Sequence, residues 1–467
     1  MNAPSIWIAF PLAFAVVLLL LPRERWVASL GTLASLALAA LAFWLPPDTA
    51  RHIGPISLRI DSTLTLLGRQ ISLTQANQTV LILIYGIGAF WFFGTIAVGN
   101  ARRIVPFGLV VISLLVTSLA VRPFLYAGLV IEMAVLLSIP LLVQPGQKPG
   151  RGVIRFLIYQ TLAMPFILFA GFLLSGVNVG PGDFSLVAQA AFLLGLGFAF
   201  LLAVFPFYTW VPLLAEEASP YAVGFILTVF PAFSLIFGLN FIDRYSWLRD
   251  TAQFADSLRS VGLLMIVTSG LWAAFQRHLG RIFAYTAISE TGISLLAISL
   301  PDKAVGLQVI FYLLVPRAIS MGIWALSVAI FKKQSPELSF ESLRGRAREF
   351  PVATAGLVLA SLAVTGAPLL ASFPMRQVLW ENLALVSLSS ALWFGFANLG
   401  LWIGALRSLA VLIASPDEKK PWKSLETWDQ RFLIGVGLLT LFVLGLFPQW
   451  AQPLLSNLPA MFEHLGK

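Results

Sequence analysis

Four charged side chains stand in stretches that are otherwise apolar: Glu132 in LVIEMAVLLSIP, Glu290 in AISETG, Arg317 in FYLLVPRAISMG and Arg376 in ASFPMR. A charge at bilayer depth costs several kcal/mol unless it is paired or hydrated, so each is a candidate for moving a proton or balancing a charge. The carboxylates can take up and release protons, whereas an arginine does not readily give up its proton and serves as a fixed counter-ion. Glu132 faces either a water-filled path or a cation; the plainer reading is a helix–helix hydrogen bond from a protonated acid. Glu290 stands roughly two and a half turns into its helix. It reads either as a relay member or as a local partner for an arginine at the helix end. Arg317 follows Pro316, where a helix break would leave loose carbonyls to solvate it. Arg407 reads as a snorkelling or supporting cation.

Other chemistries are excluded by composition. The chain has no cysteine, so disulfides, iron–sulfur clusters and thiolate metal sites cannot form from it. Its histidines are His52, His278 and His464, all expected in loops or tails, and they cannot supply paired axial haem ligands inside a membrane. No cofactor is expected in this chain, and any electrons must be carried by another subunit. The glycines of GLGFAF (195–200) lie inside an apolar run rather than between a strand and a helix, so they are not a phosphate loop.

The elements that position these residues are set by hydropathy. Of 467 residues 58% are apolar and only 11% charged, against about 25% charged in an ordinary soluble domain. Runs of ~20 apolar residues cross a bilayer. The sequence divides into fourteen such runs, near 6–22, 27–45, 78–98, 103–121, 124–144, 153–175, 184–206, 220–240, 258–276, 282–300, 305–331, 352–376, 383–412 and 432–452. The expected fold is therefore all-α and polytopic, a single membrane domain over 1–467 with no soluble domain. The first run lacks a preceding basic region and a small-residue cleavage site, so it reads as a retained helix. The outer loop 46–77 alternates polar and apolar residues and predicts a short hairpin. Trp7, Trp26 and Trp210, near span ends, read as interface-belt residues.

The formal charge of +9 is not a nucleic-acid footprint, because its distribution follows the loops. With the N-terminus outside, eighteen lysines and arginines fall in inner loops, among them Lys148, Lys333, Lys419 and Lys420, and nine fall outside, including Lys467. That bias predicts both termini on the outer side of a bacterial plasma membrane or similar energy-coupling membrane.

Two spans carry breaks. The seventh runs into AVFPFYTWVP at Pro206, and the twelfth contains TGAPLLASFP with Gly366, Pro368 and Pro374. Proline removes a donor and clashes with the preceding turn, so both predict broken helices. They lie five spans apart, and an odd spacing reverses orientation. Two inverted five-helix repeats, 103–240 and 258–412, would place both breaks along a path at mid-membrane.

At this point the segments become recognisable. FPFYTWVPLLAEEASP (205–220) resembles the P-F-H-x-W-L-P-D-A-H-x-E-A-P signature of the antiporter-like membrane subunits of respiratory complex I, multisubunit sodium/proton antiporters and membrane-bound hydrogenases. It matches at Pro206, Phe207, Trp210, Pro212, Glu217 and Ala218. FQRHLGRIFAYTAISETG (275–292), ESLRGRAREFP (341–351) and GAPLLASFPMR (366–376) are similar to three further family segments. The resemblance, which spans essentially the whole chain, implies a proton-translocating subunit of a complex I-like NADH:quinone oxidoreductase. Its partners would be other membrane-arm subunits and the lipid bilayer, with no nucleic acid, and the flavin, iron–sulfur clusters and quinone would belong to those partners. The short C-terminal end is similar to the two shorter subunit types, which lack a long lateral helix.

The departures bear on mechanism. The family's seventh-span lysine, partner of the glutamate matched by Glu132, is replaced by Leu201. The eighth-span cation aligns near Ala232, the eleventh-span H-x-x-x-K reads Pro316 and Ser320, and the histidine of P-F-H is Tyr208. Only the twelfth-span cation remains, as Arg376. The resemblance thus implies a path altered around Glu132, Glu290, Arg317, Arg376 and ordered water, or a scaffold that conducts nothing, or, with the same fold, a subunit of a multisubunit cation/proton antiporter or membrane-bound hydrogenase.

Overall fold

The structure is a computed structural model that describes residues 2–53, 56–66, 68–175, 184–335, 337–414 and 422–465. Lys419, Lys420 and Lys467 lie outside the described residues, as does much of the inner loop 413–431.

Apolar runs fold as helices here because a helix satisfies its own backbone within one segment. Along the first half, α1 (Phe10–Leu20) continues a π-helical turn at Ser5–Ala9 and is followed by α2 (Glu24–Trp44), α3 (Gln78–Val98), α4 (Ala101–Ala120), α5 (Ala127–Leu142), α6 (Arg151–Ser175), α7 (Phe184–Leu201), α8 (Trp210–Glu217), α9 (Pro220–Arg244) and the single turn α10 (Ser246–Arg249). The second half holds α11 (Ala252–Phe275), α12 (Leu279–Ile298), α13 (Lys303–Gln334), α14 (Pro351–Val364), α15 (Phe373–Val386), α16 (Leu388–Ile413), α17 (Trp428–Leu446) and the single turn α18 (Gln452–Leu455). The loop after α2 forms the expected hairpin and a second one. β1 (Ala50–Ile53) pairs antiparallel with β2 (Ile56–Arg59); β3 (Thr63–Leu66), β4 (Arg69–Ser72) and β5 (Val121–Arg122) form a three-stranded sheet in that order.

Every one of the fourteen apolar runs lies on helix, but only ten helices among the described residues are long and apolar enough to cross a membrane. The other four runs have physical reasons to fall short. The first helix is short, the seventh and twelfth are split, and α12 is made more polar by Arg281, Glu290 and its hydroxyl side chains. The twelfth run differs from its expected bounds: its second limb, α15, extends to Val386, and α16 starts only at Leu388, where the Ser387 hydroxyl accepts the Ser390 N–H.

Both expected breaks are present. α7 stops at Leu201 and the chain passes through Ala203 at φ 50° and Pro206 before α8 begins at Trp210. α14 stops at Val364, and the segment before α15 places Gly366 at φ 74° and Leu369 at φ 70°. The halves also pack alike. α4 lies on α5 and α6 on both α7 and α8; correspondingly α11 lies on α12 and α13 on both α14 and α15. Proline alone does not break a helix, since α13 runs unbroken from Lys303 to Gln334 through Pro316. The break expected at Arg317 is therefore absent: a buried proline in a long helix loses one hydrogen bond, and neighbouring packing holds the rest.

α9 and α13 are the most enclosed of the ten spanning helices and α17 the least. Around this core, small residues let backbones touch. A Cβ added at Gly270 on α11 would lie 2.3 Å from the Ala397 carbonyl oxygen on α16. Close approach of this kind supplies the van der Waals contact that drives association where lipid gives no hydrophobic force. Two of the expected belt residues are core residues instead: Trp7 and Trp210 are buried and only Trp26 is exposed. Trp7 Nε1 donates to the Leu38 carbonyl at 3.1 Å, which gives its polar end a partner inside the bundle.

Candidate functional site

The second broken helix and the enclosed helix α13 meet at α12, and three of the four candidate charges meet there with them. Glu290, Arg317 and Arg376 are 3%, 5% and 3% exposed, so each depends on the others for its solvation. Arg317, on α13, donates from Nε to Glu290 Oε2 at 2.9 Å and from Nη2 to the Glu290 carbonyl at 2.8 Å and Ser294 Oγ at 3.1 Å. Its planar fork thus spans one turn of α12, because residues four apart share a helix face. Arg376, on α15, donates from Nη2 to Glu290 Oε1 and from Nη1 to Asn398 Oδ1 on α16 at 2.9 Å. One carboxylate therefore ties α12 to α13 and α15, and Arg376 carries the link on to α16.

The broken helix makes room for this. Ending α14 at Val364 lets α15 begin at Phe373 with its own first turn, which places Arg376 in the bundle rather than along its surface. Gly366 lies beside the arginine stem, and a Cβ there would sit 2.2 Å from Arg376 Cδ. The cluster carries two guanidiniums against one carboxylate, a formal excess of one positive charge. Arg376 Nε is buried and has no hydrogen-bond partner among the described residues.

Glu132 does not join this cluster. On α5 its Oε1 accepts from Thr161 Oγ1 of α6 at 2.6 Å, while Oε2 is buried without a partner among the described residues. Among the described residues it forms no ion pair. Leu201, in the place of the expected lysine, is buried, and its carbonyl accepts from Gln160 Nε2 at 3.2 Å. Gln160 is 1% exposed and its Oε1 has no partner among the described residues. A narrow cleft at the α7 break is lined by Gln160, Leu201, Trp210, Pro231, Ala287 and Thr291, and so leads from the first half to the residue next to Glu290. Ala232 and Arg317 line another, apolar cleft with Ile84 and Ile87 of α3. Ser320 is buried and its hydroxyl has no partner among the described residues.

The remaining cations have local roles. Arg281, the arginine at the start of α12, pairs with Glu216 at 2.7 Å rather than with Glu290. Arg407 donates to the Ala274 carbonyl at the end of α11 and lies 5.6 Å over the Phe340 ring. That is the snorkelling geometry of a long cation at a helix end. His278 precedes α12, and burial pushes its imidazole below the ordinary range. No cluster of three His, Asp or Glu residues capable of holding a metal occurs among the described residues. Sequence reasoning missed Asn398, Ser294, Gln160 and Thr161. Asn398 had a signal, an amide in the apolar run FGFANLGLW, and Ser294 was findable as the residue one turn from Glu290.

Comparison with known proteins places this fold. The profile of a family described as "NADH:quinone oxidoreductase/Mrp antiporter, TM" matches residues 129–401. The chain is 26% identical over 449 residues to NADH-quinone oxidoreductase subunit 14 of Thermus thermophilus, covering 90% of this chain and 97% of that one. Its fold is similar to a chain of respiratory complex I from Thermus thermophilus with bound NADH, at a TM-score of 0.77 and 20% identity over 99% of this chain and 100% of that one. It is likewise similar to a chain of the Mrp complex from Dietzia sp., at a TM-score of 0.80 and 15% identity over 98% and 97%.

Proposed function

The chain belongs to the NADH:quinone oxidoreductase/Mrp antiporter transmembrane family, and from that premise we propose that it is an antiporter-like membrane-arm subunit of a complex I-type quinone oxidoreductase with a static charge centre. Its likeness to subunit 14 along nearly the whole length of both chains supports that assembly. Flavin, iron–sulfur clusters and quinone then belong to partner subunits. The five-helix units 103–240 and 258–412 are inverted repeats, and the two breaks at Pro206 and at Gly366 and Pro368 line one path at mid-membrane.

The observation that carries the static centre is the double clamp on Glu290, with one arginine on each carboxylate oxygen. A lysine relay works because burial and a movable carboxylate shift its proton affinity across the working range. An arginine has no such range, so neither of the two side chains bonded to the Glu290 carboxylate can take up its proton. Glu132, without Lys at 201, lacks the other half of the usual pair. Proton transfer through this subunit is accordingly weak or absent, and its charges hold helices. A conducting reading draws support from the unpartnered polar atoms of Gln160, Ser320 and Arg376, which ordered water would satisfy.

The two readings separate in reconstituted complex carrying Glu132→Gln with Glu290→Gln, by measuring protons moved per electron pair in the assembled fraction. The static reading expects an unchanged ratio. A fall in the ratio with electron transfer intact would restore a working proton path.

The same proposal puts both termini on the outer face. Single cysteines at Lys148 and Lys333 should then react with an impermeant maleimide in inverted vesicles and remain unlabelled in intact cells; labelling of intact cells would reverse the orientation.

A further inference from the structure

At one surface of the bundle the ends of α3, α5, α8 and α13 meet the beginnings of α4 and α9, around a cleft of about 410 Å³. Three cations line it: Arg103 in the first turn of α4, and Lys332 and Lys333 in the last turn of α13. Each donates to a carbonyl at the end of a neighbouring helix. Arg103 reaches the Pro140 and Val143 carbonyls at the end of α5. Lys332 reaches the Ala218 carbonyl after α8 at 2.8 Å, and Lys333 the Ala97 carbonyl of α3 at 3.3 Å.

Capping explains where these cations sit but leaves most of their charge unanswered. A helix end carries only about half an elementary charge, and an ammonium has three donors, of which each lysine uses one among the described residues. Glu217 is the only carboxylate among the described lining residues, and its Oε2 already accepts the Gly152 N–H at 2.8 Å. Glu24 acts on Lys333 from the start of α2, outside the lining. The N-terminus of α9 adds to the surplus: Ser219, its N-cap, makes no side-chain cap bond, so first-turn N–H groups of a 25-residue helix stand open at the same cleft. Ile104, Leu141 and Leu142, within the spans, give the cleft an apolar wall beside these charges.

We propose that this cleft binds the phosphate of an anionic phospholipid. Lys332, Lys333, Arg103 and the first turn of α9 contact the phosphodiester, and Ile104, Leu141 and Leu142 receive the base of an acyl chain. Charge and depth favour a lipid over a soluble anion, because the cations lie at span ends, where headgroups are, and share the cleft with apolar side chains. The bound lipid ties α4, α5 and α9 to the end of α13.

The experiment uses the full-length chain in detergent, stripped of lipid and titrated with phosphatidylglycerol, with bound lipid counted by native mass spectrometry. One phosphatidylglycerol per chain should bind saturably, and phosphatidylcholine, whose headgroup carries no net charge, about tenfold more weakly. Lys332→Gln with Lys333→Gln removes two charge-assisted contacts and should weaken binding about tenfold or more. Ser219→Asp separates binding from folding. Aspartate is a good N-cap, so thermal unfolding should stay at or above wild type, while its carboxylate repels the phosphate and weakens binding about tenfold. Equal binding of the two lipids, or wild-type binding in both variants, would overturn the inference and leave the proposed function standing. Displacement of the lipid by millimolar inorganic phosphate at matched ionic strength would overturn the lipid as ligand in favour of a soluble phosphate.

Discussion

Glu290→Gln is expected to be the most damaging single substitution in the chain, lowering stability by about 3–5 kcal/mol, the usual cost of removing one partner from a buried ion pair. Among the described residues the carboxylate is the only anion facing two guanidiniums that are 5% and 3% exposed. Glutamine keeps the shape and one acceptor but leaves two positive charges opposed in the core of the bundle. Three helices lose their common anchor, because Arg317 and Arg376 bring α13 and α15 to α12 through this one side chain. The measurement is thermal unfolding of the purified chain in detergent, read alongside the yield of monodisperse protein. Glu290→Gln combined with Arg317→Met should recover part of the loss, since the double change removes one of the opposed charges; neighbouring sites in one network are not additive. Near-wild-type unfolding of Glu290→Gln alone would mean that water, and not the carboxylate, solvates the arginines.

Gly366→Ala should produce the second largest loss, from a methyl group. Two costs add. The residue sits at φ 74°, a left-handed conformation that costs an L side chain roughly 1–2 kcal/mol. The new Cβ would also fall 2.2 Å from Arg376 Cδ. A flexible arginine in solvent would step aside at little cost, but this one is held at its far end by Glu290 and Asn398. Moving it means giving up those bonds, so the expected loss is several kcal/mol in the same unfolding assay, with the Arg376 contacts broken. Gly195→Ala is the internal comparison: nothing lies within 4 Å of its added Cβ, and alanine is the better helix former by about 1 kcal/mol. If both glycine variants unfold alike, the crowding at Arg376 is not a constraint.

The fold was legible in the sequence to the extent that it depends on local chemistry. Apolar runs separated by charge clusters gave the order of the helices, and the dense Gly and Pro pattern of TGAPLLASFP marked where α14 must end. Proline alone misled at Pro316, because whether a helix survives a lost hydrogen bond is decided by the helices around it. Tryptophan misled at Trp7 for a related reason: a position near a span end does not reveal whether that side chain faces lipid or the bundle.

The four candidate charges show the same boundary more sharply. By itself the sequence determined that Glu132, Glu290, Arg317 and Arg376 lie in apolar segments and that the family's lysine is replaced at Leu201, because residue type and hydropathy are properties of the chain alone. Which charges meet was decided only by tertiary structure. Glu290 and Arg376 are 86 residues apart in sequence, and their pairing depends on how α15 re-enters the bundle after the break at Gly366. Arg317 reaches Glu290 across two different helices, and Glu132, similar in composition and surroundings, is left on an outer face with a threonine. Pairing is a matter of distance and direction in three dimensions, and a one-dimensional pattern fixes the cost of burying each charge without fixing the partner that offsets it.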